Sequence, residues 1–339
     1  MTKPRLKVTM LVDSASVPKD DPVFAVQPDT PVTEFHVAST LRELNHEVRI
    51  LTVTDSVQSL SEQLASDHSD IVFNLTEEFR GDRRMDQNIA ALLELMSIPF
   101  TGAGSIGLQL CRAKGLCKQL LSLHKIRVPG FVTIHPGDRI RIPKTIRFPL
   151  VVKPVYEDGS DGISNASLVK DENQLRERAA MVHERWKQPA IAEEYIEGRE
   201  LYVGLIGNKR IRALPPREWF VGNGNGGNDG PVLATYRVKW DKEYQQKWNI
   251  SFGFAELSEK ILRDIDRTCK KVYRILQMRD YGRIDLRLTP ENRLVILEAN
   301  ANPDIGYGDE LSEAAAKAGI KYEALIEGIL RHAMDRYRK

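Results

Sequence analysis

The stretch Tyr281–Gly306, YGRIDLRLTPENRLVILEANANPDIG, decides the reading of this chain. In RIDLRL, Arg283, Asp285 and Arg287 fall on one side of an extended backbone and Ile284, Leu286 and Leu288 on the other, as in a half-buried strand. RLVILEAN is a second apolar run, and PENR between them carries turn residues. A four-residue connection predicts an antiparallel hairpin with Asp285 facing Glu298 and Arg283 facing Asn300. Directly opposed side chains sit about 5 Å apart, so two carboxylates in this register need a cation between them. Hard oxygen ligands that leave part of the shell to water and phosphate describe Mg²⁺ held with a nucleotide. The plainer reading is an exposed hairpin face with ordinary charges, and the rest of the chain has to choose between them.

Upstream, the first hundred residues alternate strand and helix. LKVTMLVD, EVRILTV, DIVFNLT and the short PFTG read as strands; VTEFHVASTLRELN, SVQSLSEQLAS and MDQNIAALLELMS read as helices. That succession predicts an α/β, Rossmann-like unit with a doubly wound parallel sheet, whose ligands gather at the carboxyl ends of the strands. Those ends carry Asp13–Ser14 and the charged loop Glu77–Arg84, which either meets a substrate or is simply solvated. From Cys111 to about Tyr202 the pattern becomes α+β with antiparallel strands, and the remainder adds more strands, the hairpin and terminal helices. The expected division is 1–110, 111–202 and 203–339, because chains beyond about 250–300 residues split into domains. The glycine-rich segment 222–230 is read as a surface loop, either a lid or a plain insertion.

Composition excludes several classes. Lys and Arg number 49 against 47 Asp and Glu, a net charge of +2, which gives no reason to expect nucleic acid or a charged membrane. The three cysteines, Cys111, Cys117 and Cys269, lack metal-ligand spacing and suit a reducing cytoplasm. No run approaches the roughly 20 apolar residues of a membrane span, and the N-terminus lacks a signal-type apolar core. A soluble cytoplasmic protein is expected.

In FPLVVKPVYEDGSDGIS, Lys153 ends an apolar strand and is followed by a loop with Gly159, Ser160 and Gly162. A lysine there is costly without an anion, and small residues let backbone N–H groups approach phosphate oxygens. Lys114, opening a helix, is a second phosphate contact or a surface lysine. In AIAEEYIEGREL, Glu193 and Glu200 are an odd number of residues apart, so a straight strand puts them on opposite faces unless Gly198 bends it.

The order of Lys114, Lys153 with its small-residue loop, EEYIEGRE and RIDLRL…LEAN resembles the ATP-grasp superfamily, and within it the D-alanine–D-alanine ligases. The resemblance runs from about Ile98 to Leu330. It implies ATP held between two antiparallel-sheet units, with Lys114 and Lys153 on its phosphates and Ser160 in the phosphate loop. Glu193, with the backbone of Glu194 and Ile196, then reads adenine, and Glu200 holds the ribose. Lys239 closes over the γ-phosphate, while Asp285, Glu298 and Asn300 bind two Mg²⁺, with Mn²⁺ an alternative. Arg283 steadies the tetrahedral oxyanion. The implied chemistry is amide formation through an acyl phosphate, on small-molecule amino-acid or amine substrates, in a protein that is commonly a homodimer.

The substrate half departs from that family. Asp304 stands where a glycine is usual, and Asp309 lies at or near the serine that helps bind the second D-alanine's carboxylate. An acid there repels a carboxylate by roughly 1–4 kcal/mol at about 4 Å. The serine and tyrosine that latch phosphate loop to lid are here Gly159 and Trp240. The glutamate that takes the first substrate's ammonium is out of context, with Glu34 a distant candidate. The acceptor amine is therefore expected to lack a carboxylate at the usual place or to carry positive charge near Asp304 and Asp309. Alternatively these aspartates are solvated, or Asp309 is a helix N-cap. Competing functional readings are a true D-alanine–D-alanine ligase of peptidoglycan synthesis and a non-catalytic ATP-binding protein.

Overall fold

The structure is a computed structural model that describes residues 5–13, 32–221 and 233–338, without the side chain of Trp240. Ser14 and the glycine-rich 222–230 loop therefore lie outside the described residues. At the N-terminus, β1 (Lys7–Asp13), β2 (Glu47–Val53) and β3 (Ile71–Asn74) form a parallel sheet in the order β2-β1-β3. Helices α1 (Thr33–Glu43), α2 (Val57–Ser66) and α3 (Asp86–Leu95) connect and cover it. The inner residues of β1 are buried on both faces, as a parallel sheet requires. The expected fourth strand at PFTG is reduced to one parallel bridge between Val72 and Phe100. Gly102 follows in the left-handed region, at φ +85°, and turns the chain away.

Helices α4 (Ser105–Arg112) and α5 (Lys114–Leu123) lead to an antiparallel sheet of β4 (Phe131–Ile134), β5 (Leu150–Pro154), β6 (Leu168–Val169) and β7 (Ala190–Glu194), ordered β4-β7-β5-β6. Helix α6 (Glu172–Trp186) is capped by the Asp171 side chain and buries Leu175, Ala179 and Val182 against this sheet. The chain then crosses to a larger antiparallel sheet. Its strands are β8 (Arg199–Ile206), β9 (Arg212–Ala213), β10 (Arg217–Val221), β11 (Ile250–Phe254), β12 (Tyr281–Leu288) and β13 (Leu294–Asn300). They run β11-β10-β8-β12-β13, with β9 on β8. Helices α7 (Tyr236–Trp240) and α8 (Lys242–Lys247) precede β11; α9 (Glu259–Ile275), α10 (Glu310–Lys317) and α11 (Tyr322–Tyr337) complete the unit.

Ile284, Leu286 and Leu288 pack with Ile265, Cys269 and Val272 of α9 in one core, which leaves the other face of β12 to the cleft. A second core joins β1 to α11 through Val8, Met10 and Val12 with Leu325, Ile326 and Ile329, fastening the N-terminal sheet to the C-terminal helices. Asp280, fully buried at φ +63°, strengthens that junction. Its carboxylate accepts from the Gly102 amide (2.8 Å), Asn208 (2.7 Å) and Arg336 (2.7 Å).

The decisive hairpin has the expected register at its functional end by a different route. Asp285 pairs with Glu298 and Arg283 with Asn300, but Leu288 pairs with Leu294, so the connection is five residues, 289–293, rather than four. The extra loop residue shifts the register by one, and a bulge at Leu297 shifts it back. The carbonyl that this bulge frees accepts from Lys118 Nζ at 2.6 Å.

Candidate active site

The cleft between the two antiparallel sheets collects charge from both sides. Helix α5 supplies two lysines one turn apart, Lys114 and Lys118, both almost fully buried. Strand β5 supplies Lys153, β7 supplies Glu193 and β13 supplies Glu298. Lys114 Nζ lies 3.0 Å from Glu298 and donates to the Glu157 carbonyl. Lys118 lies 3.0 Å from Glu193, and Lys153 lies 3.3 Å from Glu193 and 3.9 Å from Glu298. Burial pushes the Glu298 carboxyl up, but Lys114, Lys153 and Lys118 outweigh it and hold it down at about 2. The same balance keeps Glu193 below its usual range. Burial lowers Lys153 too, yet Glu193 and Glu298 carry it above the ordinary lysine value. For Lys114 desolvation wins and the net shift is downward.

On the large sheet the polar face of β12 continues the site. Arg283 grips Asp285 through Nε (2.8 Å) and Nη2 (3.0 Å), and reaches Glu310 at 3.4 Å. Asn300 Nδ2 lies 3.5 Å from Asp285 Oδ2, so the residues expected to hold metal converge. Desolvation raises Asp285 above its usual pKa even though Arg283 opposes it. Among the described residues no cluster of three or more His, Cys, Asp or Glu is placed to hold a metal ion. The set is two carboxylates and one carboxamide. Such an all-oxygen, incomplete shell fits a hard cation that takes its remaining ligands from phosphate and water, and does not fit a self-sufficient metal cage.

The remaining expected residues fall around this centre. Gly198, at φ +135°, turns the chain from the central sheet into β8, so Glu193 and Glu200 occupy strands of different sheets rather than one bent strand. Both Glu200 oxygens are engaged: Oε2 accepts from Arg287 at 2.6 and 3.0 Å, and Oε1 from Tyr202 at 3.0 Å. The Glu194 side chain holds the Gly130 and Arg147 amides, while Glu194 and Ile196 line the cleft. Ser160, left-handed at φ +68°, donates to the Ala234 carbonyl at 2.7 Å. Ile163 accepts from the Tyr236 amide at 3.4 Å. The loop after β5 is thus tied to α7, which carries Lys239 with its ammonium 5.2 Å from the Tyr202 ring centre.

Two cavities continue toward the N-terminal sheet. One of 320 Å³ reaches from Lys114 and Arg283 to Asp304. The other, of 300 Å³, is walled by Glu34, Glu77, Asp304 and Asp309. Glu77 belongs to the charged loop whose role the sequence left open. Desolvation between the cleft walls, then Asp304, pushes Glu77 up to about 7. Desolvation and the neighbouring Asp304 and Glu310 do the same to Asp309, also to about 7. From that loop Arg83 pairs with Asp158 and with Glu77 (3.5 Å), and Arg112 joins Asp158 (2.8 Å) to Asp86 (2.5 Å).

Sequence reasoning missed Lys118 and Arg287, and reached Glu77 only as part of the charged loop Glu77–Arg84. The signal for Lys118 was present: Lys114, Cys117, Lys118 and Leu121 recur at i, i+3, i+4 and i+7, the spacing of a buried stripe. Arg287 shares a strand face with Asp285 and Arg283. Nothing local distinguishes Glu77 from its solvated neighbours.

A four-stranded antiparallel sheet facing a larger one across a lysine-lined cleft, with a parallel sheet at the N-terminal side, defines the ATP-grasp fold. The comparisons agree with it. The family model described as "D-ala D-ala ligase C-terminus" matches residues 120–331. The chain is 34% identical over 269 residues to the "Uncharacterized protein y4sG" of Sinorhizobium fredii, covering 79% of this chain and 76% of that one. It is 29% identical over 297 residues to the D-alanine–D-alanine ligase of Aquifex aeolicus, covering 87% and 92%. The solved D-alanine–D-alanine ligase of Bacillus anthracis complexed with ATP superposes with a TM-score of 0.74 at 19% identity, covering 98% of each chain. This chain belongs to the D-alanine–D-alanine ligase family, ATP-dependent, ADP-forming ligases of carbon to nitrogen. No helix among the described residues is long and apolar enough to cross a membrane.

Proposed function

We propose that this protein is a carboxylate–amine ligase that forms an amide bond through an acyl phosphate, with an amino-acid carboxylate as donor. The observation that carries the reading is the convergence of Lys114, Lys153 and Glu298 with Arg283, Asp285 and Asn300 at the mouth of one inter-sheet cleft. The names of the relatives support an amino acid as substrate.

ATP lies between the sheets. The cavity there measures 90 Å³, against the roughly 300–1,000 Å³ of ordinary ligand sites, so its entry parts the loop after β5 from the large sheet. Lys114 and Lys153 exchange their carboxylate partners for phosphate oxygens. Glu193 serves by fixing Lys118 and Lys153, so adenine is read by the backbone of Glu194 and Ile196, and Glu200 with Arg287 meets the ribose. Asp285, Glu298 and Asn300 hold two Mg²⁺, or Mn²⁺. When bound, such ions neutralise charge on the transferring phosphoryl group. Lys239, on the helix tied to the loop after β5, closes over the γ-phosphate. The donor carboxylate attacks that phosphorus and ADP leaves. The amine then attacks the acyl carbon, and Arg283, oriented by Asp285 and Glu310, stabilises the oxyanion before phosphate departs. No side-chain nucleophile takes part. We further place the units at 1–110, 111–198 and 199–339. The second boundary is moved from 202 because β8 pairs along its whole length in the large sheet. The protein acts in the cytoplasm as a homodimer.

Phosphate release from Mg-ATP, screened with single and paired amino acids of both configurations and with simple amines, tests this reading. Asn300→Asp and Glu298→Gln are expected to abolish release in folded protein. Turnover that survives both removes Asp285, Glu298 and Asn300 from the metal site. Release with D-alanine alone, with D-Ala-D-Ala as product, selects the peptidoglycan ligase. The retained Arg283 speaks against a non-catalytic ATP binder, which has no oxyanion to stabilise.

A further inference from the structure

We propose that the 300 Å³ cavity beside the reactive centre is the acceptor site, and that it takes an amine bearing a second positive charge and no carboxylate; this rests on the ligase reading above. Its charge is one-sided. Glu34 comes from α1, Glu77 from the loop after β3, and Asp304 and Asp309 from the segment between β13 and α10. No lysine or arginine among the described residues lines it. Of the nearest guanidinium groups, Arg283 is committed to Asp285 and Glu310, while Arg83 is shared between Asp158 and Glu77 and so offsets one of the four acids from outside the cavity. His36 does not compensate either. Its Nδ1 accepts from the Tyr307 amide at 3.1 Å, and desolvation lowers its pKa, which favours the neutral ring.

Two further observations bear on what the cavity holds. Asp309 stands at the N-cap of α10, but its side chain makes no capping hydrogen bond, so the helix does not account for it. Asn74, with no exposed surface, lines the same cavity. Its Oδ1 is taken by the amide (3.3 Å) and hydroxyl (2.8 Å) of Thr76, while Nδ2 has no partner. A buried donor without a partner is rare, and here an oxygen of the acyl phosphate, not the reacting amine, satisfies it. Tyr307, edge-on to His36 at 4.9 Å and tilted over Tyr322 at 3.9 Å, adds an aromatic wall suited to a cation.

A diamine meets the acids and the aromatic wall. One end, as the neutral amine with its lone pair free, attacks the acyl carbon; the carbon–oxygen bond to phosphate breaks and phosphate leaves. The reacting ammonium loses two protons in all, one before attack and one after, to the cavity carboxylates and the released phosphate. The other end stays charged among the remaining acids. D-alanine in this place adds a fifth carboxylate to four.

The test uses the full-length enzyme with Mg-ATP. Hydroxylamine, small and uncharged, first traps the acyl phosphate as a hydroxamate and so identifies the donor without calling on the cavity. With that donor, 1,3-diaminopropane and 1,4-diaminobutane are compared with D-alanine by ADP release and product mass. The diamines are expected to exceed D-alanine in kcat/KM by at least about tenfold, the factor of one modest charge contact. Asp309→Asn and Glu34→Gln, on separate elements, should each raise the diamine KM about tenfold with little change in kcat. D-alanine as the better acceptor, with diamine KM unmoved by either substitution in folded protein, overturns the inference and leaves the ligase reading standing. Failure of every carboxylate to give a hydroxamate removes the ligase reading, and this inference with it.

Discussion

Replacing Lys118 by methionine keeps the length and apolar stem of the side chain and deletes its charge, which isolates what that charge does. Nζ lies 3.0 Å from Glu193, and at an effective dielectric near 20 such a pair attracts by about 5–6 kcal/mol. Desolvation of both groups offsets much of this, and removing one partner of a buried pair costs about 3–5 kcal/mol because the other charge stays behind. Lys153 remains 3.3 Å from Glu193, which points to the lower end. The Leu297 carbonyl also loses its donor, at about 1–3 kcal/mol if nothing replaces it. The expected loss is therefore about 3–5 kcal/mol, read as a lower urea midpoint at unchanged slope. Combined with Glu193→Gln, the loss should fall short of the sum of the single losses by at least about 1 kcal/mol, because the two act on one contact. A loss below about 1 kcal/mol, or strict additivity, with the KM for ATP raised in Glu193→Gln alone, refutes the clamp and returns Glu193 to the nucleotide base.

Gly198→Ala is expected to destabilise by about 2–3 kcal/mol, since a Cβ there lies 2.2 Å from the Leu288 carbonyl and φ is +135°. A thermal midpoint within about 1 °C of the parent contradicts it. Glu298 predicts an acid transition. Its carboxyl is held at about 2 against an ordinary 4.5, so its contribution is complete above the unfolded value and is lost as pH falls toward 2. The lowering corresponds to roughly 3 kcal/mol. Urea midpoints between these pH values should fall in the parent and stay flatter in Glu298→Gln; parallel curves disprove the assignment.

Most of the large-scale fold was legible because it is written in local pattern. The parallel unit followed from strand–helix alternation, and the hairpin itself from two apolar runs around PENR, while its register rested on a four-residue turn that the chain does not have. The hairpin also shows where pattern ends: a five-residue loop and a bulge at Leu297 cancel, and neither leaves a mark in the alternation. Glu193 and Glu200 could not be assigned to separate sheets from their spacing, because the crossing at Gly198 is a tertiary event. Lys118 was readable on the stripe of α5, yet a lysine is so rarely buried that its polarity hid its position. Glu34 could be named only as a distant candidate and Glu77 only as one end of a charged loop, since what makes them unusual is the company of Asp304 and Asp309 from far along the chain.

The two ends of the cleft treat the same charge in opposite ways. Toward the nucleotide, acids are answered from within: Glu298 by Lys114, Glu193 by Lys118 and Lys153, Asp285 by Arg283, and Glu200 by Arg287. In the proposed reading a polyanion carrying divalent cations would enter such a site by exchange, lysines turning to phosphate while acids turn to metal, so little uncompensated charge is stored beforehand. Toward the proposed acceptor cavity, four acids share a lining with no lysine or arginine among the described residues, and desolvation with neighbouring acids raises Glu77 and Asp309 to about 7 even though Arg83 reaches Glu77 from outside. That arrangement opposes folding at Glu77 and Asp309, each of which is desolvated beside like charge. The balanced end needs no ligand to be stable in the folded chain. The unbalanced end gains the most from an occupant that brings positive charge with it.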